Sequence, residues 1–310
     1  MASWLLLPTS IATLIVAIGL FWTYIECVTQ LAFRAPQHRK PPIDDERWNP
    51  QLIHSGEHQL STYHQVLNPH GPTVWLCHGW TSGSQRMLGR ADIFLNRGWN
   101  VVMLDLPNHG ASSKLNKWTA EQSTTLLIDV ANKLAEDHQG LFGGQVYYFG
   151  HSMGGFLGLR LSQRRNELTF GDRFSGWMFE SPMTGYTEIF QETCNILRIP
   201  HLLRPLVLDN TLRHVNALIA PRSINSLDEA DAPRWGMPDE PTLVVQASPD
   251  ERLGMNHYER LLTAMNDRGR SHLLSSHLLT SLRHTGANKH AERDQIIHEW
   301  LNSVAHSSSD

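Results

Sequence analysis

Val146-Tyr147-Tyr148-Phe149-Gly150-His151-Ser152-Met153-Gly154-Gly155 is an apolar run that ends at a glycine, passes through a serine and opens an amphipathic stretch. It reads as a strand, a tight turn and a helix, with Ser152 at the apex. A Cβ two positions to either side of that serine would clash across so sharp a turn, so the G-x-S-x-G spacing has a steric cause. The turn lifts Ser152 to the top of a sheet as a candidate nucleophile. The first turn of the following helix offers backbone N–H groups to a developing negative charge.

Two more segments share this strand-then-loop form. Thr73-Val74-Trp75-Leu76-Cys77 reads as a buried strand and is followed by His78-Gly79-Trp80. Val101-Val102-Met103-Leu104-Asp105 reads as another and leads into Leu106-Pro107-Asn108-His109-Gly110-Ala111-Ser112. With the serine turn, these segments resemble the α/β-hydrolases, and the likeness runs from about residue 50 to the C-terminus. The resemblance implies an α/β fold, a mostly parallel sheet with helices on both faces. It implies an oxyanion hole built from the N–H of Met153, directly after the nucleophile, and that of Trp80. The third segment is similar to the family turn Asp-x-Pro-Gly-His-Gly-x-Ser, with Asn108 in place of the first glycine. Asparagine tolerates the left-handed backbone, so the turn survives the exchange. Asp105 reads as a carboxylate that organises this turn.

A serine needs a base and an orienting acid, and in this family the chain order is Ser, Asp or Glu, His. Pro241–Gln246 is the next clear strand, and Asp250 follows in its C-terminal loop, next to Glu251. The resemblance puts the acid at Asp250. Glu180, at the end of the strand Trp177-Met178-Phe179-Glu180, is the rival. The chain has 18 histidines, most of them bystanders. Leu279–Gly286 reads as a final strand breaking into a loop, and His284 holds the family position of the base before a last helix over Glu292–Val304. His290 is the runner-up. The Arg283-His284 pair also resembles lysophospholipase-like and monoacylglycerol-lipase-like members.

Composition narrows the class. Of 310 residues, 41% are hydrophobic and 18% charged, and the net charge is −4. A sizeable core is available, and there is no electrostatic case for a nucleic-acid partner. Cys27, Cys77 and Cys194 have no metal-ligand spacing, and so small and odd a count suits a reducing compartment. No metal or organic cofactor is expected.

From Met1 to Ile25 there is no charged side chain. This apolar run is about the length a bilayer requires, roughly 20 residues, with Trp22 and Tyr24 at the far end where amphipathic aromatics favour the interface. A signal peptide would carry a basic start and a small-x-small cleavage site, and neither is present. The expectation is a single-pass membrane anchor over 1–27 and a polar linker over 28–50. Arg34, Arg39 and Lys40 on the C-terminal side place the catalytic domain in the cytoplasm by the positive-inside rule.

The remaining chain divides into core residues 51–181, an apolar cap or lid insertion at 182–238, core residues 239–304 and a tail at 305–310. Within the core, a hairpin is expected over Gln51–Leu67. Helices are expected over Ser84–Asn96, over Thr119–Asp137 with Thr119 and Gln122 as a capping box, and over Met153–Gln163. The expected activity is that of a serine hydrolase on carboxylic esters, acting through an acyl-enzyme. The apolar cap and the anchor suggest a lipid substrate such as a monoacylglycerol or lysophospholipid. Thioesterase, peptidase and acyltransferase chemistry use the same triad, and a non-enzymatic membrane-anchored scaffold is the alternative of a different class. Ser152 argues against haloalkane dehalogenases and epoxide hydrolases, which carry Asp at that position. The oligomeric state is left open.

Overall fold

The computed structural model describes residues 3–35 and 40–307. Arg39, the rest of linker residues 36–39 and tail residues 308–310 lie outside the described residues. The chain divides into two compact units, one of Met1–Arg34 with Ile189–Ser226, the other of Ala35–Glu188 with Leu227–Asp310.

The larger unit is built on an eight-stranded sheet. In chain order the strands are β1 (Asn49–Ser55), β2 (His58–Gln65), β3 (Thr73–Cys77), β4 (Asn100–Leu104), β5 (Val146–His151), β6 (Phe174–Glu180), β7 (Thr242–Ala247) and β8 (Leu274–Leu279). Their spatial order is β1-β2-β4-β3-β5-β6-β7-β8. The hairpin β1–β2 and the β2–β4 pair are antiparallel. All other pairs are parallel. The central strands are apolar without alternation because both faces are covered. Tyr147 and Phe149 join Val74, Leu76, Phe94 and Trp300 in one buried layer. Tyr148, between them, points the other way, and its hydroxyl donates to the Gly154 carbonyl at 2.7 Å.

The chain order reverses at β3, which has β4 on one side and β5 on the other. A crevice beyond the carboxyl ends of strands is expected at such a switch point. The loops after β3 and β5 meet there, and they carry His78-Gly79-Trp80 and Ser152.

Four helices cover this sheet close to where the hydrophobic pattern puts them: α2 (Leu88–Leu95), α3 (Ala120–Asp137), α4 (Met153–Gln163) and α8 (Ala291–Ser307). The segment read as one helix from Ser84 opens instead with a separate single turn, Ser84–Met87. α7 (Asn256–Asp267) lies between β7 and β8. The last strand differs from expectation. It is Leu274–Leu279, and the stretch after Leu279 is loop. β8 pairs with β7 alone, as an edge strand, so its burial is partial and its sequence half polar. The apolar Leu278-Leu279 and Leu282 drew the sequence reading downstream.

The smaller unit holds α1 (Ser3–Leu31), most of α5 (Thr187–Ile196) and α6 (Arg204–Ile219). The N-terminal helix runs on to Leu31, past the point where the linker was expected to begin. Its last turns pack on α6. Ile25 shares a cluster with Cys194, Ile199 and Val207. Asn210 donates to Glu26 at 2.9 Å and to Thr29 at 3.0 Å. Ser10–Leu31 is long and apolar enough to cross a membrane, with a mean hydropathy of 2.0 over an 18-residue stretch of which 6% is buried. Of the stretch 182–238, Ile189–Ser226 belongs to this unit and the flanks stay with the sheet.

Thr119 caps α3. Its Oγ1 accepts from the Gln122 N–H and donates to the Gln122 Oε1, both at 3.1 Å. This forms the cap but not the return bond of a full capping box. Thr119→Ala is expected to lower stability by about 1 kcal/mol, the usual worth of such a cap. A denaturant titration checks this, with an unchanged midpoint counting against the cap.

Candidate active site

Ser152 has φ 53° and ψ −115°, a left-handed backbone that a non-glycine residue adopts only when its surroundings enforce it. They do so through close contact. A Cβ on Gly154 would lie 2.2 Å from the Cys77 carbonyl oxygen, and one on Gly150 would lie 2.6 Å from the Gly154 backbone. The Ser152 N–H donates to the Glu180 carbonyl at 3.0 Å, and its own carbonyl accepts from Gly155, Phe156 and Met183. The apex is therefore fixed by backbone bonds on both sides.

The structure brings Ser152, His284 and Asp250 into one hydrogen-bonded line, and all three are buried. His284 Nε2 lies 2.9 Å from Ser152 Oγ, and His284 Nδ1 lies 2.8 Å from Asp250 Oδ2. A carboxylate can only accept, so Nδ1 carries the proton and Nε2 faces the hydroxyl as an acceptor. Burial by itself would raise the Asp250 pKa. The bond from His284 and the N–H groups of Leu253 and Arg252 outweigh it and hold the carboxyl below its ordinary value. Those two N–H groups lie 2.9 Å from Oδ1.

Gln246 also donates to Asp250 Oδ2, at 2.9 Å. Sequence reading passed over this residue. Its signal is a buried amide side chain following the apolar run Leu243-Val244-Val245 in the fully buried strand β7.

Glu180 is placed elsewhere. Its carboxylate is gripped by Arg90, whose Nε lies 2.9 Å away and whose second contact is shorter still, and by Arg293 at 3.1 Å. Burial opposes its charge, yet the two guanidinium groups prevail and lower its pKa to about 2. His290 lies just before α8, where its ring nitrogen receives the Arg293 N–H.

The loop after β3 is held by a neutral histidine. His78 is fully buried, and burial lowers its pKa to about 4. Its Nε2 accepts the Leu106 N–H at 3.0 Å, so its Nδ1 carries the proton and donates to the Gly79 carbonyl at 2.8 Å. Ser82 N–H binds the same carbonyl. In a trans peptide the C=O and the following N–H point in opposite directions. Fixing the Gly79 carbonyl therefore fixes the direction of the Trp80 N–H. His109 braces the same loop, its Nε2 accepting the Thr81 N–H at 3.1 Å. Asn108 has φ 68°, the left-handed turn expected of it. The N–H groups of Trp80 and Met153 donate to no acceptor among the described residues.

His151, beside the nucleophile, is buried and held neutral, with burial lowering its pKa to about 4. Its Nε2 donates to the His284 carbonyl at 2.9 Å and lies 3.8 Å from Glu180. The Arg90–Glu180–Arg293 cluster therefore stands one residue behind the line of three. Among the described residues no group of His, Cys, Asp and Glu side chains is arranged to hold a metal ion.

The family model described as serine aminopeptidase, S33, matches residues 68–223. The chain belongs to this family. It is an α/β-hydrolase enzyme, and the solved structures agree on the fold. A Pyrococcus furiosus esterase is 17% identical with a TM-score of 0.59, over 87% of this chain and 98% of that one. Mouse alpha/beta hydrolase domain-containing protein 10 is 12% identical at 0.59, over 83% and 99%. A bacterial membrane phospholipase A, described as a virulence factor, is 16% identical at 0.56, over 97% and 96%. No curated protein matches the chain.

Two predictions rest on this geometry. Glu180→Gln leaves two buried guanidinium groups without their counter-charge, and a loss of about 3–5 kcal/mol in stability is expected. Its pKa is lowered from 4.5 to about 2, so its contribution is present above pH 4.5 and is lost as the pH falls towards 2. Glu180→Gln should remove that part of the acid sensitivity. The buried histidines act at higher pH. Burial lowers the pKa of His64, His78 and His151 from 6.5 to about 4. The unfolded chain then binds more protons than the folded one between those values, so stability should fall as pH drops from 6.5 to 4. Thermal melts across that range that stay flat would contradict neutral histidines at these positions.

Proposed function

We propose that this chain is a membrane-anchored serine hydrolase that cleaves carboxylic esters bearing an acyl chain, with Ser152, His284 and Asp250 as its triad. The observation that carries the reading is the hydrogen-bonded line from Asp250 through His284 to Ser152, at the carboxyl ends of parallel strands. Ser152 Oγ attacks the acyl carbon while His284 Nε2 takes its proton. The oxyanion of the tetrahedral intermediate is bound by the N–H groups of Trp80 and Met153. His284 returns the proton to the departing alcohol and then activates a water that hydrolyses the acyl-enzyme. Asp250 keeps the imidazole in the productive tautomer and stabilises its charged form.

The ester class draws support from neighbours named as an esterase and as a membrane phospholipase A. The family description favours a second reading, hydrolysis of a peptide bond at an amino terminus. The long apolar helix α1 speaks for a substrate held in a membrane, and so for the ester. The chain is anchored by that helix, with the catalytic unit on the cytoplasmic side.

Fluorophosphonate probes should label the wild-type chain and not Ser152→Ala. His284→Ala should lose about as much turnover as Ser152→Ala, because nucleophile and base act as a unit. Asp250→Asn should cost on the order of 10^4-fold in kcat. A series of p-nitrophenyl esters of increasing acyl length, run beside aminoacyl anilides, decides between the two substrate classes. Preferred cleavage of the anilides would overturn the ester reading and leave the triad in place.

The anchor is tested by sedimentation with membranes after a high-salt wash. Removing residues 1–24 should release the chain into the soluble fraction, while Ile25 keeps its place against Val207 and Cys194. Full-length protein found in the soluble fraction without detergent would exclude a spanning helix.

A further inference from the structure

The exposed apolar surface of the smaller unit is not confined to α1. Ile196 and Leu202 are 71% and 90% exposed, and Leu206 beside them is also exposed. They lie on the tip between α5 and α6, which also supplies Ile199 to the buried cluster of Ile25, Cys194 and Val207. A single exposed leucine is unremarkable, but here three large aliphatic side chains are exposed within the short stretch Ile196–Leu206, from the end of α5 to the first turn of α6. No acidic residue lies between Glu192 and Asp209, while Arg198 and Arg204 do. Arg198 is exposed.

The position of this tip along α1 follows from helix register. Ile25 packs with Val207. Asn210 bonds Glu26 and Thr29, and His214 meets Glu26, Gln30 and the Phe33 ring. Higher numbers on α1 meet higher numbers on α6, so the two helices run parallel. Both rise by the same amount per residue. Following that register back by one turn brings Leu203 and Leu206 level with Phe21 and Trp22, at the end of the exposed apolar run that begins at Ile11. The start of α6 therefore stands level with the end of that exposed apolar run.

We propose that the segment Ile196–Leu206 is a membrane-interface contact of the bilayer that α1 crosses. Ile196, Leu202 and Leu206 enter the boundary between headgroups and acyl chains, and Arg198 sits among the lipid phosphates. The unit is then held to the membrane at two points, the spanning helix and the tip, which fixes its tilt as well as its distance from the surface. This inference rests on the reading of α1 as a membrane span.

The test uses the full-length chain in vesicles of phosphatidylcholine and phosphatidylglycerol. In a Cys27→Ser background, with Cys77 and Cys194 buried, a nitroxide is placed on Leu202→Cys and, in a second sample, on Ile15→Cys. Relaxation by oxygen, which enters the bilayer, is compared with relaxation by a water-soluble nickel chelate. The expected result is a deep label at position 15 and a label at position 202 at headgroup depth. A deep label at 15 with a fully nickel-accessible label at 202 overturns the interface contact and leaves the anchor standing. A nickel-accessible label at 15 removes the anchor and the contact together. Dipolar broadening at 202 from a second labelled chain, with both relaxants excluded, assigns the tip to a contact between copies and overturns the proposal. As an independent readout, I196E/L202E should lower turnover of an ester carried in vesicles by roughly ten-fold or more, the scale of losing one buried aliphatic side chain. Turnover of a soluble short-chain ester should be unchanged. Equal loss on both substrates, or none on either, also counts against the contact.

Discussion

The close approach of the turn after β5 to the carboxyl end of β3 is the constraint on which the rest of the site depends. A Cβ at Gly154 would lie 2.2 Å from the Cys77 carbonyl and 2.8 Å from that of His78, and a Cβ at Gly79 would lie 3.1 Å from that of Ser152. Only bare backbone fits there. Because it fits, the loop that carries Gly79 and Trp80 lies directly against the turn of His151 and Ser152. The two glycines lie on different elements, Gly79 in the loop after β3 and Gly154 in the first turn of α4, and act in the same place. The loop after β3 and the turn that carries Ser152 come this close because these positions lack side chains.

Once the backbone is closed in this way, buried polar groups hold its parts in register, and they do so mainly as neutral or fully paired groups. His78 and His151 are kept uncharged by burial, and each gives its one N–H to a backbone carbonyl, of Gly79 and His284 respectively. A charged imidazole at His151, whose ring centre lies 5.1 Å from that of His284, would put a positive centre beside the line of three. The one large buried charge nearby, Glu180, is matched by two arginines that tie α2 and α8 to the end of β6. Paired in this way, it draws little on the donors of the reacting groups. Asp250 is the carboxylate whose bonds are spent on the imidazole, and Glu180 is the one whose bonds are spent on the scaffold.

That division was only partly legible in the sequence. Ser152, Asp250 and His284 each follow a strand in family order, and a strand's end is readable from an apolar run that stops at a turn residue. The two carboxylates ending β6 and following β7 look alike in sequence, because what separates them is the company of Arg90 and Arg293, which lie far away along the chain. Gln246, His78 and His151 escaped for the same reason. Their roles are set by which backbone group faces them across the sheet, and no local pattern records that. The boundary of β8 was misplaced because an edge strand buries only part of its length, so its polar residues read as loop and the apolar residues after it read as strand.

The N-terminal helix shows the same limit at a larger scale. Composition alone ends the anchor at residue 27, just past Glu26, the first charged side chain in the chain, and suggests a tether from residue 28. The structure carries the helix through that charge without a break, because Glu26, Thr29 and Gln30 have partners on α6 that the sequence cannot display. A charge near the end of an apolar helix usually marks the point where water begins. Here it also marks where protein begins. One continuous helix passes from an exposed apolar surface to a packed one within a turn, and Ile25, fully buried one residue before Glu26 and one after exposed Tyr24, is where the change occurs. A rigid helix with no joint at that point transmits its orientation to whatever its last turns hold. On the proposed reading of α1 as an anchor, attachment to a membrane would constrain the angle of the smaller unit and not merely its distance, which a flexible tether would leave free.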